Sequence, residues 1–296
     1  MTTFRQTRQW TSIGQLRQAL SCLLILALGS NVQADTGSPL PDASPVPGGI
    51  AHLLLPIDSF QPPEAYLGKK RLLVRSTEGT RYQQQAPWLA LVGIPLSSKP
   101  GPHAISVGEQ QFEIEVGTKE YREQRITIKN KRKVNPNSLD MERIGREKKK
   151  MLAALASWSE PTVTVTRFSS PAPGPYSSPF GLRRFFNDQP RKPHSGLDIA
   201  ASQGTAIVAP APAVVMDAGD YFFNGRNLIL DHGRGLITMY SHMEQIDVAV
   251  GDRVDTGEKL GTVGSSGRVT GPHLHWTVSL NNARVDPLLF LRPATP

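Results

Sequence analysis

The sequence predicts a mainly β protein: a small N-terminal β-sandwich-like domain, one connecting basic helix and a C-terminal antiparallel β domain. Three observations lead there. Short apolar runs alternate with turn residues over about residues 50–129 and again over 161–296. A single stretch, about 138–157, keeps helical spacing of apolar residues. The 296 residues are 39% apolar and 20% charged, which suits about two folded domains and excludes wholesale disorder.

Residues 1–34 read as an address. Arg5, Arg8 and Arg17 precede an apolar run at 22–28, and Val32-Gln33-Ala34 places small or apolar residues at the −3 and −1 positions of a cleavage site. This is the layout of a secretory signal peptide. The run is too short for a membrane span, which needs about 20 apolar residues. Cys22 opens that run instead of following it, which argues against a lipoprotein anchor. Cleavage after Ala34 removes the one cysteine and three arginines, leaving 30 basic against 25 acidic residues. The expected mature chain lies in the periplasm or cell envelope, or is secreted, with no membrane span and no disulfide.

Residues 35–49, rich in Pro and Gly, form a lead-in. The N-terminal β domain is expected over 50–134. Its strands are LLVR (72–75), WLALV (88–92), HAISV (103–107), FEIEV (112–116) and RITI (125–128), with turns at 100–102 and 108–109. The linker helix falls within 135–160. Asn135-Pro136-Asn137-Ser138 supplies start chemistry, with Asp140 and Glu142 in the first turn. Residues 119–150 hold 12 Lys/Arg against five Asp/Glu, so most of the positive charge is local to this stretch. Such a run is either a solvated helix face or a dock for an anionic polymer. Nucleic acid is not an expected partner.

The C-terminal domain is expected over 161–296. Strand character marks TVTVT (162–166), AIVA (206–209), AVVM (213–216), NLILD (227–231), LITMYSH (236–242), KLGTV (259–263) and HLHWTVSL (273–280). Five of the seven histidines fall between 194 and 275. His194 and Asp198 stand four apart around Gly196, which lets backbone approach closely. His273 and His275 are two apart, so in a strand they face one groove, with Leu274 turned away. His242 ends a predicted strand. One cysteine excludes thiolate metal sites, so any metal must use His and carboxylate. Two His and one carboxylate around zinc leave a coordination position open, the catalytic arrangement. Zinc so held would acidify a water and polarise a carbonyl. The two remaining histidines would move protons and stabilise an oxyanion. His232, in a Gly-rich turn, and His52 and His103, in the other domain, are expected to be structural or solvent-facing.

Three runs carry a resemblance: HSGLD at 194–198, NLILDHGRGLITMYSH at 227–242 and GSSGRVTGPHLHW at 264–276. Over roughly residues 176–290 the chain resembles the LytM/lysostaphin-type zinc metallopeptidases, which cleave peptide bonds in bacterial peptidoglycan. The preceding segment is similar to the accessory N-terminal domain of some proteobacterial members. The resemblance implies an antiparallel β peptidase domain with a zinc-containing groove. It implies one Zn2+ per chain on His194, Asp198 and His275, with His242 and His273 as catalytic residues that do not ligate. Two positions depart from the common pattern: Trp276-Thr277 follow the H-x-H pair, and Leu236 stands where many members have Tyr. Neither is a ligand, so they bear on specificity. The implied substrate is the peptide cross-link of peptidoglycan, between D-Ala and diaminopimelate in a Gram-negative wall. Cell-wall divisome or elongation proteins are the implied partners.

Two rival readings stand beside this one. A non-catalytic LytM-like regulator that activates cell-wall amidases has a degenerate groove, whereas here all three ligands and both accessory histidines are present. A two-His-one-carboxylate iron oxygenase is disfavoured by export and by the lack of any cosubstrate signature. The N-terminal domain and basic helix are expected either to cover the groove or to dock the enzyme on the anionic wall.

Overall fold

The computed structural model describes residues 39–129, 131–161 and 165–292. The signal-peptide segment, the start of the lead-in and residues 162–164 of one expected strand lie outside the described residues. Val165 and Thr166 of that strand are not in a strand. The chain runs through β1 (Ile50–Leu55), β2 (Ala65–Leu67), β3 (Lys70–Arg71), β4 (Leu73–Ser76), β5 (Trp88–Gly93), β6 (Gly101–Val107), β7 (Gln110–Val116) and β8 (Glu123–Ile126). Two helices follow, a single turn α1 (Lys131–Val134) and α2 (Ser138–Leu155). Then come β9 (Tyr176–Ser178), β10 (Arg183–Phe186), β11 (Gln189–Pro190), β12 (Leu197–Ile199), β13 (Ala206–Val208), β14 (Ala213–Tyr221), β15 (Gly225–Asp231) and β16 (Leu236–Ile246). The last strands are β17 (Arg253–Val254), β18 (Lys259–Val263), β19 (Leu274–Leu280) and β20 (Ala283–Val285), before a 3-10 turn at Pro287–Phe290.

The N-terminal strands form two sheets, ordered β1-β5-β4 and β3-β2-β6-β7. Alternation drives them together. In β7, Ile114 and Val116 are buried while Glu113 and Glu115 face water. In β5 both faces are buried, and they serve different cores. Ala90 and Val92 pack with Leu55, Leu72, Ile105 and Val116 between the two N-terminal sheets. Leu89 and Leu91 point the other way and join Leu228, Trp276, Val278 and Leu280 in the C-terminal core. The β1-β5-β4 sheet is thus a wall shared by both cores. Asn281 seals the junction: its side chain accepts from the Gly93 N–H at 2.7 Å and donates to the Gly93 carbonyl at 3.0 Å.

Helix α2 starts where the sequence places it. Asn137 caps it, accepting from the Asp140 N–H at 2.9 Å, while the Asp140 carboxylate accepts from the Asn137 N–H. Of its apolar residues, Met151, Ala154 and Leu155 pack on Ile229, Ile237 and Met239 of the large sheet. Leu139, Met141 and Leu152 stay exposed. Part of the basic run is structural: Arg143 pairs with Glu147 and Asp220, and Lys150 with the buried Asp217.

The large C-terminal sheet runs β17-β14-β15-β16-β19-β12-β9, with β13, β18 and β20 attached at its margins. Trp276 and Leu236 are fully buried in its core, so neither forms a groove wall. Of the expected RITI strand, Arg125 and Ile126 lie in β8 while Thr127 and Ile128 fall beyond its end; the partner of β8 is β10, in parallel, 60 residues on.

Candidate metal centre and active site

Three neighbouring strands assemble the site. In the antiparallel β12–β19 pair, Asp198 lies directly opposite His275. Directly opposed residues present their side chains to the same sheet face, within contact distance. His194 comes from the loop before β12, held by backbone bonds to Leu182 and Gly181 on either side. Gly196 between them is required by space. A Cβ there would stand 2.7 Å from His275 Cε1 and 2.6 Å from the Trp276 carbonyl oxygen.

His194 Nε2, Asp198 Oδ1 and His275 Nδ1 converge at 2.7 to 3.0 Å from one another. His194 Nδ1 faces the Pro179 carbonyl at 2.8 Å. A carbonyl only accepts, so Nδ1 carries the hydrogen and Nε2 presents a lone pair inward. His275 is turned round: Nε2 meets Thr277 Oγ1 at 3.2 Å, leaving Nδ1 to face the centre. Two imidazole lone pairs and a carboxylate aimed at one point repel unless a proton or a cation lies among them. This donor set fits a metal ion. Tetrahedral ligands about 2.0–2.1 Å from zinc sit about 3.3 Å apart, so the triad needs to open by a few tenths of an ångström.

The electrostatics agree. Burial alone would raise the Asp198 carboxyl; a proton or positive charge at the His194 and His275 nitrogens that face it, the place a cation would take over, holds it well below the usual carboxylate range. Burial pushes His275 down to about 4, against the pull of Asp198. Burial, with His275 and His273 adding, pushes His242 down to about 3. Both imidazoles are therefore neutral at pH 7.

His242 and His273 flank the triad without joining it. Their ring centroids are 4.9 Å apart, and His242 lies 6.0 Å from His275. His273 Nε2 stands 3.8 Å from Asp198 Oδ1. Each Nδ1 donates to a backbone carbonyl, that of Ser266 for His242 and of Gly271 for His273, both at 2.9 Å. In the neutral form of either ring, Nε2 is then the acceptor atom. His242 does not end its strand. It sits in a β-bulge, where Ser241 and His242 together oppose one residue of β15, Asn227. Its φ of 66° is left-handed, an uncommon state for a residue with a Cβ. Two residues earlier Tyr240 points into the core. Strand alternation would send His242 after it, and the bulge turns the ring toward His273 instead. His273 itself precedes β19 and forms an isolated bridge with Gly264.

The structure thus brings together all five residues singled out in the sequence. His232 is instead buried between the Pro212 carbonyl and Thr238. His52 bonds Tyr82, and His103 bonds the Lys99 carbonyl. One residue escaped the sequence reading. Arg184 of β10 donates to Asp198 Oδ2 at 2.9 Å, to Ser178 Oγ at 2.9 Å and, through Nε, to Gln124 Oε1 at 3.1 Å. Its only sequence signal is a pair of arginines ahead of the HSGLD run.

Comparisons with known proteins find relatives for both parts of the chain. The family model for peptidase family M23 matches residues 192–287, and that for the peptidase family M23 N-terminal domain matches residues 43–119. A crystal structure assigned to peptidase M23 from Pseudomonas aeruginosa is 42% identical, covering 83% of this chain and 95% of that one, with a TM-score of 0.69. The DD-carboxypeptidase/endopeptidase Mpg of Neisseria meningitidis is 38% identical over 117 residues, 40% of this chain and 27% of that protein. The peptidoglycan DD-endopeptidase ShyC of Vibrio cholerae is 40% identical over 96 residues, 32% of this chain and 22% of that protein. The matched region thus spans about a quarter of the length of these curated relatives.

Proposed function

Because the chain belongs to peptidase family M23, we propose that it is an exported, zinc-dependent endopeptidase that hydrolyses the peptide cross-links of bacterial peptidoglycan. The observation that carries this reading is the convergence of His194 Nε2, Asp198 Oδ1 and His275 Nδ1 beside two further histidines, His242 and His273, each anchored through Nδ1 to a backbone carbonyl. Zinc held by His194, Asp198 and His275 would supply a Lewis acid and an acidified water at neutral pH. The chain's own residues do the proton work. His273 or His242 takes a proton from the attacking water at Nε2, and as an imidazolium it donates to the developing oxyanion or to the leaving amine. Burial makes protonated His242 a strong acid, which suits it to passing the proton on. The leader pattern in residues 1–34 supports export. The names of the Neisseria and Vibrio relatives support a D,D bond, the link between D-Ala and diaminopimelate.

The test is digestion of purified sacculi, with products identified by mass spectrometry. Wild type should release un-cross-linked peptides. His242→Ala should still bind zinc but lose about 100-fold or more in rate, the scale of a lost acid–base group. Loss of zinc in that variant would show that the role is misassigned. Activation of an amidase with no cleavage of its own would replace this reading with the regulator.

A further inference from the structure

Asp198 has two carboxylate oxygens, and the structure uses them differently. Oδ1 faces His194 Nε2 and His275 Nδ1. Oδ2 is turned away and receives Arg184 at 2.9 Å. The Arg184 side chain is 18% exposed, so this ion pair is largely shielded from water. The guanidinium is itself fixed from two further directions, by Ser178 of β9 and by Gln124 of β8. Strand β8 belongs to the segment that precedes the helices, yet it pairs with β10 along Arg183–Phe186. The connecting segment therefore helps to hold a metal ligand in place.

A carboxylate beside a metal ion can bind through one oxygen or through both. Two-oxygen binding fills a coordination position that substrate or water would otherwise take. We propose that Arg184 is a positioning residue that ties up Oδ2, so that Asp198 binds metal through Oδ1 alone and one position stays open. The proposal rests on the metal-centre reading above. It gives Arg184 a task that a lysine can share, because one N–H donor to Oδ2 suffices, and that a glutamine amide, with weaker and uncharged donors, performs poorly.

Cobalt(II) substitution reads the coordination number directly, since d–d absorption weakens as coordination rises from four. The full chain loaded with cobalt(II) should show an intense four-coordinate spectrum. Arg184→Gln should lose this intensity severalfold, and Arg184→Lys should retain most of it. An Arg184→Gln spectrum equal to wild type overturns the proposal, as does a lysine variant as altered as the glutamine one. A crystal structure of the zinc-loaded wild type gives a second measurement that needs no variant. Asp198 bound through Oδ1, with Oδ2 on Arg184, supports the proposal; Asp198 bound through both oxygens overturns it. A wild-type chain that takes up neither cobalt nor zinc defeats the metal-centre reading itself, whereas metal uptake with an unchanged Arg184→Gln spectrum defeats only this inference.

Discussion

At Gly196 the absence of one carbon decides whether His275 can sit where it does. Adding a Cβ places it 2.8 Å from His275 Nε2 and 2.7 Å from Cε1, with the Trp276 carbonyl on its other side. Backbone cannot yield cheaply, so the ring must move. Gly196→Ala should weaken zinc binding about tenfold or more, comparable to losing a group that orients a ligand. A zinc titration against a competing chelator checks it. His232 allows a different test, on stability. Burial lowers its pKa to about 4, against about 6.5 in the unfolded chain. Below pH 6.5 the unfolded state therefore binds the proton first. The folded state loses up to about 3 kcal/mol from this group as pH falls from about 6.5 toward 4. Urea unfolding of the metal-free chain at pH 7.5 and pH 5 should show the loss, and His232→Asn should flatten it. An equal slope in that variant would assign the loss to other groups. The candidate site residues were legible in the sequence as short-range pairs, two apart in the H-x-H run and four apart across a glycine; which of them would ligate is what the resemblance implies. Arg184 was not, since its partners lie 6, 14 and 60 residues away.

Strand character was legible at most of the strands from β13 on, even the three-residue β13 itself, but not at β1 or at the pieces β9 to β12. The pieces β9 to β12 are two to four residues each and are stabilised by partners elsewhere in the chain. The bulge at His242 was equally hidden. It follows from two residues of β16 opposing one of β15, and an alternation pattern carries no sign of that. The turn after β19 shows how one side chain joins elements. Asn281 is buried, left-handed at φ 45°, and makes both hydrogen bonds that the Gly93 backbone lacks. Asn281→Ala would leave a buried N–H and C=O unpaired and keep a Cβ in a strained state. The expected cost is about 2–4 kcal/mol, from two unsatisfied groups at roughly 1–3 kcal/mol each with partial relaxation. Chemical denaturation checks this; a loss under about 1 kcal/mol would show that water replaces the side chain there.

Over the whole chain, the sequence separates two β regions by composition, and the structure joins them through the β1-β5-β4 wall. The reason this was hidden is specific. Leu89 and Leu91 look like Ala90 and Val92 in sequence, but they serve opposite cores. Charge also changed meaning. The basic stretch supplies Arg132 to Asp140, Arg143 to Asp220 and Lys150 to Asp217, so part of it anchors α2 and its cap. The groove region itself holds 12 basic and 11 acidic residues over 161–296, which gives no large net charge to steer substrate. On the proposed reading, what remains to drive chemistry is the candidate metal centre and its two neighbouring histidines. The most direct test is therefore digestion of purified sacculi by the signal-free chain, before and after a chelator and again after zinc is restored. The account predicts un-cross-linked muropeptides that vanish with the chelator and return with zinc. Equal release in the presence of the chelator, or no release in any condition, would contradict it.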